Sequence, residues 1–424
     1  MDGGLYDALI QQQKLIPHQE RPDLGSDPSA LIIQPERLSY ISYPYEWCFS
    51  QLKDAALLTL DIQQAALEHN MSLKDASAYN VQFHTGNAIF IDTLSFEALD
   101  ATKPWVAYRQ FCQHFLGPLA LMSYGDPRVR KLLLGFIDGI PLDLVASLLP
   151  TRSKWRYSIL AHVHLHARSQ VQNADAGANS ASSPRKMSKA LLQALISSLR
   201  SAVEKCTLSS RLTTEWGKYY EQTNYSLDAM SHKETLVDQQ LKKHTPANGI
   251  VHDLGANTGR FSRIALQHAG LVVSHDIDEL AVEQNYLANR GKESKPLLPL
   301  VLDLTNPSPA IGWHNEERAS FKDRCKADVL LALALIHHLA ISNNTPLSKV
   351  ADSFAQLTSV LIIEFVPKGD SQVDRLLATR EDIFDQYDQA HFEQAFAERF
   401  TLIEQQPVEG TSRVLFTYKS KQDS

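Results

Sequence analysis

The residues best suited to do chemistry are clustered between positions 253 and 338. Asp253-Leu254-Gly255-Ala256-Asn257-Thr258-Gly259 follows a short apolar run, Ile250-Val251-His252. A glycine at 255 lets the backbone turn tightly and leaves room for a ligand to approach. A glycine at 259 allows a helix to pack closely on the strand before it. Asn257 stands between them, and asparagine tolerates left-handed backbone better than most residues. Asp276 lies 21 residues after Gly255. At that separation a carboxylate on the end of the next strand can accept hydrogen bonds from both hydroxyls of a ribose cis-diol. Asp278 is the second choice for that role, with a helix N-cap as its alternative. Asp303 closes a third apolar run and is followed by Leu304, and His337-His338 close a fourth. Imidazole titrates near neutrality, so either histidine suits a general base. The alternative is that one of the pair packs on a sheet and bonds a carbonyl.

The elements that must position these residues follow from periodicity. After Pro246, strand-like runs (GIVHDLG, LVVSHDID, LPLVLDL, ADVLLALAL, VLIIEFV) alternate with helix-length segments. That alternation predicts βαβ units and a parallel sheet over 246–424. The final stretch, FTLIEQQPVEGTSRVLFTYKS, reads as two strands around a turn. Upstream the pattern is mainly helical. Leu52, Ala55, Ala56, Leu60, Ile62, Ala66 and Leu67 fall at helical spacing within 46–70. A hairpin follows, with Gly86-Asn87 in its turn, and further helices are expected over 104–122 and 126–150. This outlines an N-terminal domain over 1–165, with 1–30 as an extended or loosely docked arm. Residues 166–187 are rich in Ser, Ala and Asn and read as a flexible linker. Residues 188–245 read as a helical segment leading into the last domain.

The series Asp253-x-Gly255-x-x-x-Gly259, Asp276, Asp303 and the terminal strand pair resembles class I S-adenosylmethionine-dependent methyltransferases over about 215–424. The resemblance implies a Rossmann-like α/β domain: a mostly parallel seven-stranded sheet with an antiparallel terminal strand. It implies S-adenosylmethionine as cofactor and methyl transfer as the activity. By it, Asp253 lies near the methionine end, with Gly255, Asn257 and Gly259 forming the loop. Asp276, with Asp278 second, meets the ribose. Asp303 meets the adenine amino group, and Leu304 offers a backbone donor or an apolar face. Asn257 departs from the family's usual glycine. His337 and His338 fall on the loop facing the reacting methyl. Glu364 ends the fifth strand, a lesser candidate for the base, with bonding to Lys368 or a loop amide as its alternative. Trp216, Tyr219, Tyr220 and Tyr225 sit on a helix that often covers the cofactor in this family, and Lys233 can reach toward the methionine carboxylate. Methyltransferases of exocyclic base nitrogens carry Asn/Asp-Pro-Pro-aromatic after the fourth strand. Here the run is Ala334-Leu335-Ile336-His337-His338, which disfavours that acceptor. Trp313, Glu317, Arg318 and Ser320 belong to an insertion, either a substrate wall or a solvated amphipathic helix.

A second resemblance lies in the N-terminal half. Asp75-x4-Asn80, followed 12 residues later by Asp92, is similar to the catalytic loop and metal-binding acid of kinase-like phosphotransferases. By that resemblance Asp75 is the base, and Asn80 and Asp92 hold magnesium. No His-Arg pair precedes Asp75, and residues 1–45 contain no glycine-rich loop or strand lysine.

Bulk properties narrow the function class. The chain has 424 residues, 44% hydrophobic and 21% charged, as a globular protein of two or three domains has. A net charge of −7 leaves no overall basic footprint for nucleic acid, so the acceptor expected is an unidentified small molecule or protein. Cys48, Cys112, Cys206 and Cys325 are widely separated, without CxxC spacing, so no zinc site or disulfide framework is expected. No secretory signal or apolar run of about 18 residues is present, and a cytoplasmic, membrane-free protein is expected. The competing reading is a catalytically inactive cofactor-binding scaffold.

Overall fold

The computed structural model describes residues 4–24, 31–168, 188–209, 226–291, 295–378 and 380–421. The chain divides into two compact units, Met1–Leu212 and Thr213–Ser424.

The first unit is organised around a 20-residue helix. Helix α1 (Leu5–Gln11) precedes it, with Leu5 and Leu9 buried, so this stretch of the expected arm is helical and packed. Strand β1 (His18–Glu20) pairs antiparallel with β2 (Ile33–Pro35). Helix α2 (Phe49–Glu68) buries all seven apolar positions read from its periodicity. Strands β3 (Met71–Leu73) and β6 (Phe96–Ala98) form a short antiparallel pair around a hairpin, β4 (Val81–His84) and β5 (Asn87–Phe90). Thr85 and Gly86, both at positive φ, make its two-residue turn, which matches the twist of the strands. Helical turns follow over 108–124, 127–135, 142–148 and 151–165.

The helical stretch 188–245 is not one lead into the second half. Helix α3 (Lys189–Glu204) belongs to the first unit. Lys53 on α2 donates to the carbonyls of Glu204 and Cys206, both at 2.8 Å, and Arg200 pairs with Asp61. Helix α4 (Leu227–His244) belongs to the second unit. Residues 169–187 and 210–225, which include most of the expected linker and Trp216, Tyr219, Tyr220 and Tyr225, lie outside the described residues.

The second unit is a seven-stranded sheet: β7 (Ile250–Leu254), β8 (Leu271–Asp276), β9 (Leu297–Val301), β10 (Ala327–Ala332), β11 (Thr358–Phe365), β12 (Phe400–Pro407) and β13 (Val414–Ser420). Its order is β12-β13-β11-β10-β7-β8-β9. Strands β7 to β11 run parallel, and β13 is antiparallel to both of its neighbours. The near-continuous apolar runs follow from burial on both faces. Val329, Leu331 and Ile362 enter one core, with Val237 and Leu241 of α4 and Phe261 of α5 (Arg260–Ala265). Leu330, Ala332, Leu361 and Ile363 enter the other, with Phe354 of α7 (Leu347–Ala355) and Phe392 and Phe396 of α8 (Gln389–Ala397). Helix α6 (Glu279–Asn289) follows β8.

The expected insertion helix is absent. Ile311 and Arg318 form an isolated bridge, Trp313 is 84% exposed, and the helical pieces are a short 3-10 turn, Trp313–Asn315, and a single turn, Phe321–Arg324. No helix among the described residues is long and apolar enough to cross a membrane. All four cysteines are free and buried.

Candidate functional site

Strand β7 is flanked by β8 on one side and β10 on the other, so the chain order reverses there. Ligands of open α/β sheets bind at such a switch point, outside the carboxyl ends of the strands. A cavity of about 340 Å3 lies there. The ends of the strands supply Asp253, Gly255, Ala256 and Asn257, then His275, Asp276 and Ile277, then Leu302, Asp303, Leu304 and Thr305, then Leu333, Ala334, Leu335, His338 and Leu339. Helix α4 adds Met230 and Lys233.

The loop after β7 has the shape its residues dictate. Gly255, Asn257 and Gly259 all sit at positive φ, 73°, 49° and 78°. The Asn257 side chain accepts from the Thr258 amide at 2.8 Å, so asparagine supports the left-handed turn from within. The amides of Gly255 and Ala256 both donate to the His275 carbonyl at 2.9 Å, which ties the loop to β8. A Cβ on Gly255 would stand 3.2 Å from Leu335 Cδ1, in the narrow gap between the loop and the far wall. A Cβ on Gly259 would stand 2.2 Å from Asn285 Oδ1, so α5 starts here only because the residue is glycine.

Three of the predicted carboxylates line this cavity. Asp276 Oδ2 accepts from the Asn257 amide at 2.7 Å and Oδ1 from the Asp278 amide at 2.8 Å. Burial nonetheless pushes its carboxyl up to about 6. Asp253 accepts from Ser262 Oγ at 2.6 Å, and burial pushes it also to about 6. Asp303 is half-buried, its Oδ1 accepting from the Thr305 hydroxyl at 2.6 Å and amide at 3.0 Å. Asp278 does not line the cavity. It caps α6, accepting from the amides of Leu280 at 2.8 Å and Ala281 at 3.0 Å.

The two histidines part company. His338 lines the cavity, and burial draws its imidazole down to about 4. His337 is 1% exposed and does not line it, and neither ring nitrogen has a hydrogen-bond partner among the described residues. Burial takes its imidazole well below the ordinary value. The rings stack obliquely, centroids 4.1 Å apart. Of the two, only His338 faces the cavity. Beneath the loop, His275 and His252 form a second buried pair, Nε2 to Nδ1 at 3.0 Å.

Lys233 and Glu364 are also joined. Lys233 Nζ donates to Glu364 Oε2 at 2.7 Å, with 2% and 0% of the side chains exposed. Burial pulls the Lys233 ammonium below its ordinary value against the pull of Glu364. The ammonium also lies 4.9 Å from the Phe261 ring centroid. Glu364 accepts from the Ala334 amide at 2.8 Å. The loop-amide alternative for Glu364 is therefore the one realised, and Lys368 pairs with Asp382 instead, at 2.7 Å. Ala334 is at φ 50°, a left-handed conformation costing a non-glycine residue about 1–2 kcal/mol. Arg413 grips Asp370 with two bonds of 2.7 and 3.0 Å and stands 4.0 Å from Glu364. Sequence reasoning missed Ile277, Met230 and Leu339. Ile277, an isoleucine between two acids that stays 55% exposed, carried the one readable signal.

In the first unit, Asn80 Nδ2 donates to Ser95 Oγ at 3.2 Å, and that hydroxyl donates to Asp92 Oδ2 at 2.6 Å. Asp92 Oδ1 accepts from the Leu94 amide at 2.8 Å and Asp75 from the Ser77 amide at 2.9 Å. These are turn bonds such side chains commonly make. No group of three or more His, Cys, Asp or Glu among the described residues can hold a metal ion.

The strand order and the loop at the switch point define the second unit as a class I methyltransferase fold. No protein-family model matches the chain. Solved structures similar to it include N-methyltransferase NodS from Bradyrhizobium japonicum WM9 in complex with S-adenosylhomocysteine, 12% identical, with 49% of this chain and 100% of that one covered and a TM-score of 0.35. Magnesium protoporphyrin IX methyltransferase from Synechocystis PCC 6803 with bound S-adenosylhomocysteine is 16% identical, with 49% and 93% covered and a TM-score of 0.34. Nodulation protein NoeA of Rhizobium meliloti (strain 1021) is 36% identical over 396 residues, 92% of this chain and 82% of the relative. The chain belongs to the same family as NoeA.

Proposed function

We propose that residues 213–424 bind S-adenosylmethionine and transfer its methyl group to an acceptor, a small molecule or protein. The observation carrying this reading is the convergence of the Gly255–Gly259 turn and the carboxylates of Asp253, Asp276 and Asp303 on one cavity at the switch point. The cavity fits the cofactor in chemistry: buried acids for hydroxyls and amines, apolar Ile277, Leu302 and Leu304 for a flat base, and a glycine where a Cβ would narrow the passage. When bound, S-adenosylmethionine supplies an electrophilic methyl carbon on a sulfonium that departs as a neutral thioether.

The chain's residues then have these roles. Asp276 accepts from the ribose hydroxyls while its own position is held by two amides. Asp303 and Leu304 meet the adenine. Asp253 receives the methionine amine, and Lys233 stands beside it. Leu333, Leu335 and Leu339 exclude water. Their walls hold the acceptor in line with the methyl, which is most of what this reaction asks of a protein. The His338 imidazole, which faces the cavity, would accept the acceptor's proton. The likeness to a nodulation protein supports a place for this transfer in nodulation. Neutral titration calorimetry with S-adenosylmethionine, then S-adenosylhomocysteine, tests the reading. Saturable micromolar binding of both is expected, and no heat from a folded chain overturns it.

A further inference from the structure

We infer that Glu364 is a positioning residue for this site, clamping the Ala334 turn that forms its far wall, with Lys233 holding the clamp. The inference rests on the methyl-transfer reading for its ligand but not for its geometry.

Ala334 lies on the wall facing the Gly255 turn, with Leu333 and Leu335 beside it. Its backbone is left-handed, φ 50°, where a Cβ is disfavoured, so something must hold it. The one hydrogen bond that the Ala334 amide is seen to make goes to Glu364 Oε2 at 2.8 Å. That same oxygen takes the Lys233 ammonium at 2.7 Å. Glu364 is fully buried and does not line the cavity. It therefore reaches a ligand through the groups it holds, the Ala334 turn and the Lys233 ammonium. Lys233 lies on α4 and Glu364 on β11, so one carboxylate joins a covering helix, a central strand and the loop after β10. Bonds to a charged acceptor are shorter and stronger than neutral ones, which suits an oxygen holding a strained turn.

The test uses the full chain with Glu364→Gln, which keeps the shape but removes the charge. Glutamine has one acceptor oxygen, and its amide group opposes the Lys233 ammonium. The dissociation constant for S-adenosylmethionine is expected to rise tenfold or more. Amide hydrogen exchange is expected to quicken at 333–335 while β10, at Val329–Leu331, stays protected. Glycine adopts a left-handed φ without a Cβ, so Ala334→Gly in the Glu364→Gln background is expected to recover most of the affinity. Unchanged affinity and exchange in Glu364→Gln overturns the inference. So does exchange that quickens equally along β10, or no recovery with glycine. Should Glu364→Gln not fold, Ala334→Gly alone decides. A clamped, strained turn predicts higher thermal stability for it, and lower stability refutes the strain. Absence of S-adenosylmethionine binding by the unaltered chain sinks the methyl-transfer reading, while the exchange experiment still decides the clamp.

Discussion

Replacing Asp276 by asparagine separates its two jobs. In the folded chain each carboxylate oxygen accepts one backbone amide, from Asn257 at 2.7 Å and Asp278 at 2.8 Å. Asparagine accepts only one of these and turns an NH2 group against the other. A lost hydrogen bond to a charged group costs about 1.5–3 kcal/mol. Against this stands the burial of the charge. The folded carboxyl titrates at about 6 and the free one at 3.8, so ionisation opposes folding. The stability it contributes is greatest below about pH 4 and is lost as pH rises through about 6, a difference of about 3 kcal/mol at about 1.4 kcal/mol per pK unit. Asparagine removes that penalty. At pH 7.5 the two effects nearly cancel, and Tm should move by only a few degrees. Affinity has no such compensation. The ribose loses a charged acceptor, so the dissociation constant for S-adenosylmethionine should rise about 5- to 150-fold, from about 1–3 kcal/mol. Calorimetry at pH 7.5 measures the affinity and scanning calorimetry from pH 5 to 8 the stability. In the unaltered chain, stability should rise on acidification through pH 6, and Asp276→Asn should diminish that rise, with Asp253 supplying the remainder. Unchanged affinity with an intact fold would refute the ribose assignment, and an undiminished acid-side rise would refute the buried-charge argument.

Four further outcomes are expected. Gly259→Ala puts a Cβ 2.2 Å from Asn285 Oδ1 at φ 78°, and should lower unfolding free energy by at least about 2 kcal/mol in urea titration. His338→Ala should lower turnover at least tenfold, read as S-adenosylhomocysteine release with a competent acceptor, while leaving cofactor affinity within about threefold. His337→Leu removes a buried imidazole with no hydrogen bond and should leave turnover intact, with stability equal or higher by about 1 kcal/mol in thermal unfolding. Arg413→Met strands the buried Asp370 carboxylate and should cost about 3–5 kcal/mol, whereas Arg413→Met with Asp370→Asn should recover part of it.

Much of the second unit was legible because its signals are local. Val329 and Leu330 alternate between two cores, and a strand buried on both faces must be apolar at every position. Gly255 and Asp276 stand at strand ends, and a parallel sheet carries all such ends to one side, which is why spacing alone gathers them. What stayed hidden depends on depth and partners. His337 and His338 are adjacent and chemically identical, yet the backbone turn after Ala334 sends one beside the ligand space and the other into the core. Asp278 and Asp276 differ by two residues, and only the onset of α6 makes one of them a cap. The Glu364–Lys233 bond spans 131 residues, beyond any local pattern. Helices α3 and α4 carry similar amphipathic patterns, and nothing in either names the unit whose apolar face it covers.

Strand β13 sits between β12 and β11, antiparallel to both. Every cavity residue, from Met230 to Leu376, precedes it in the chain. As the polypeptide leaves the ribosome, at roughly 5–20 residues per second, the pocket's lining is therefore available seconds before its support. Until Val414–Ser420 emerges, β11 is an open sheet edge with unpaired backbone groups. Arg413 has also not arrived to hold Asp370, so the wall that carries Glu364 lacks its neighbour. The pocket's lining is thus synthesised before the strand that covers the β11 edge.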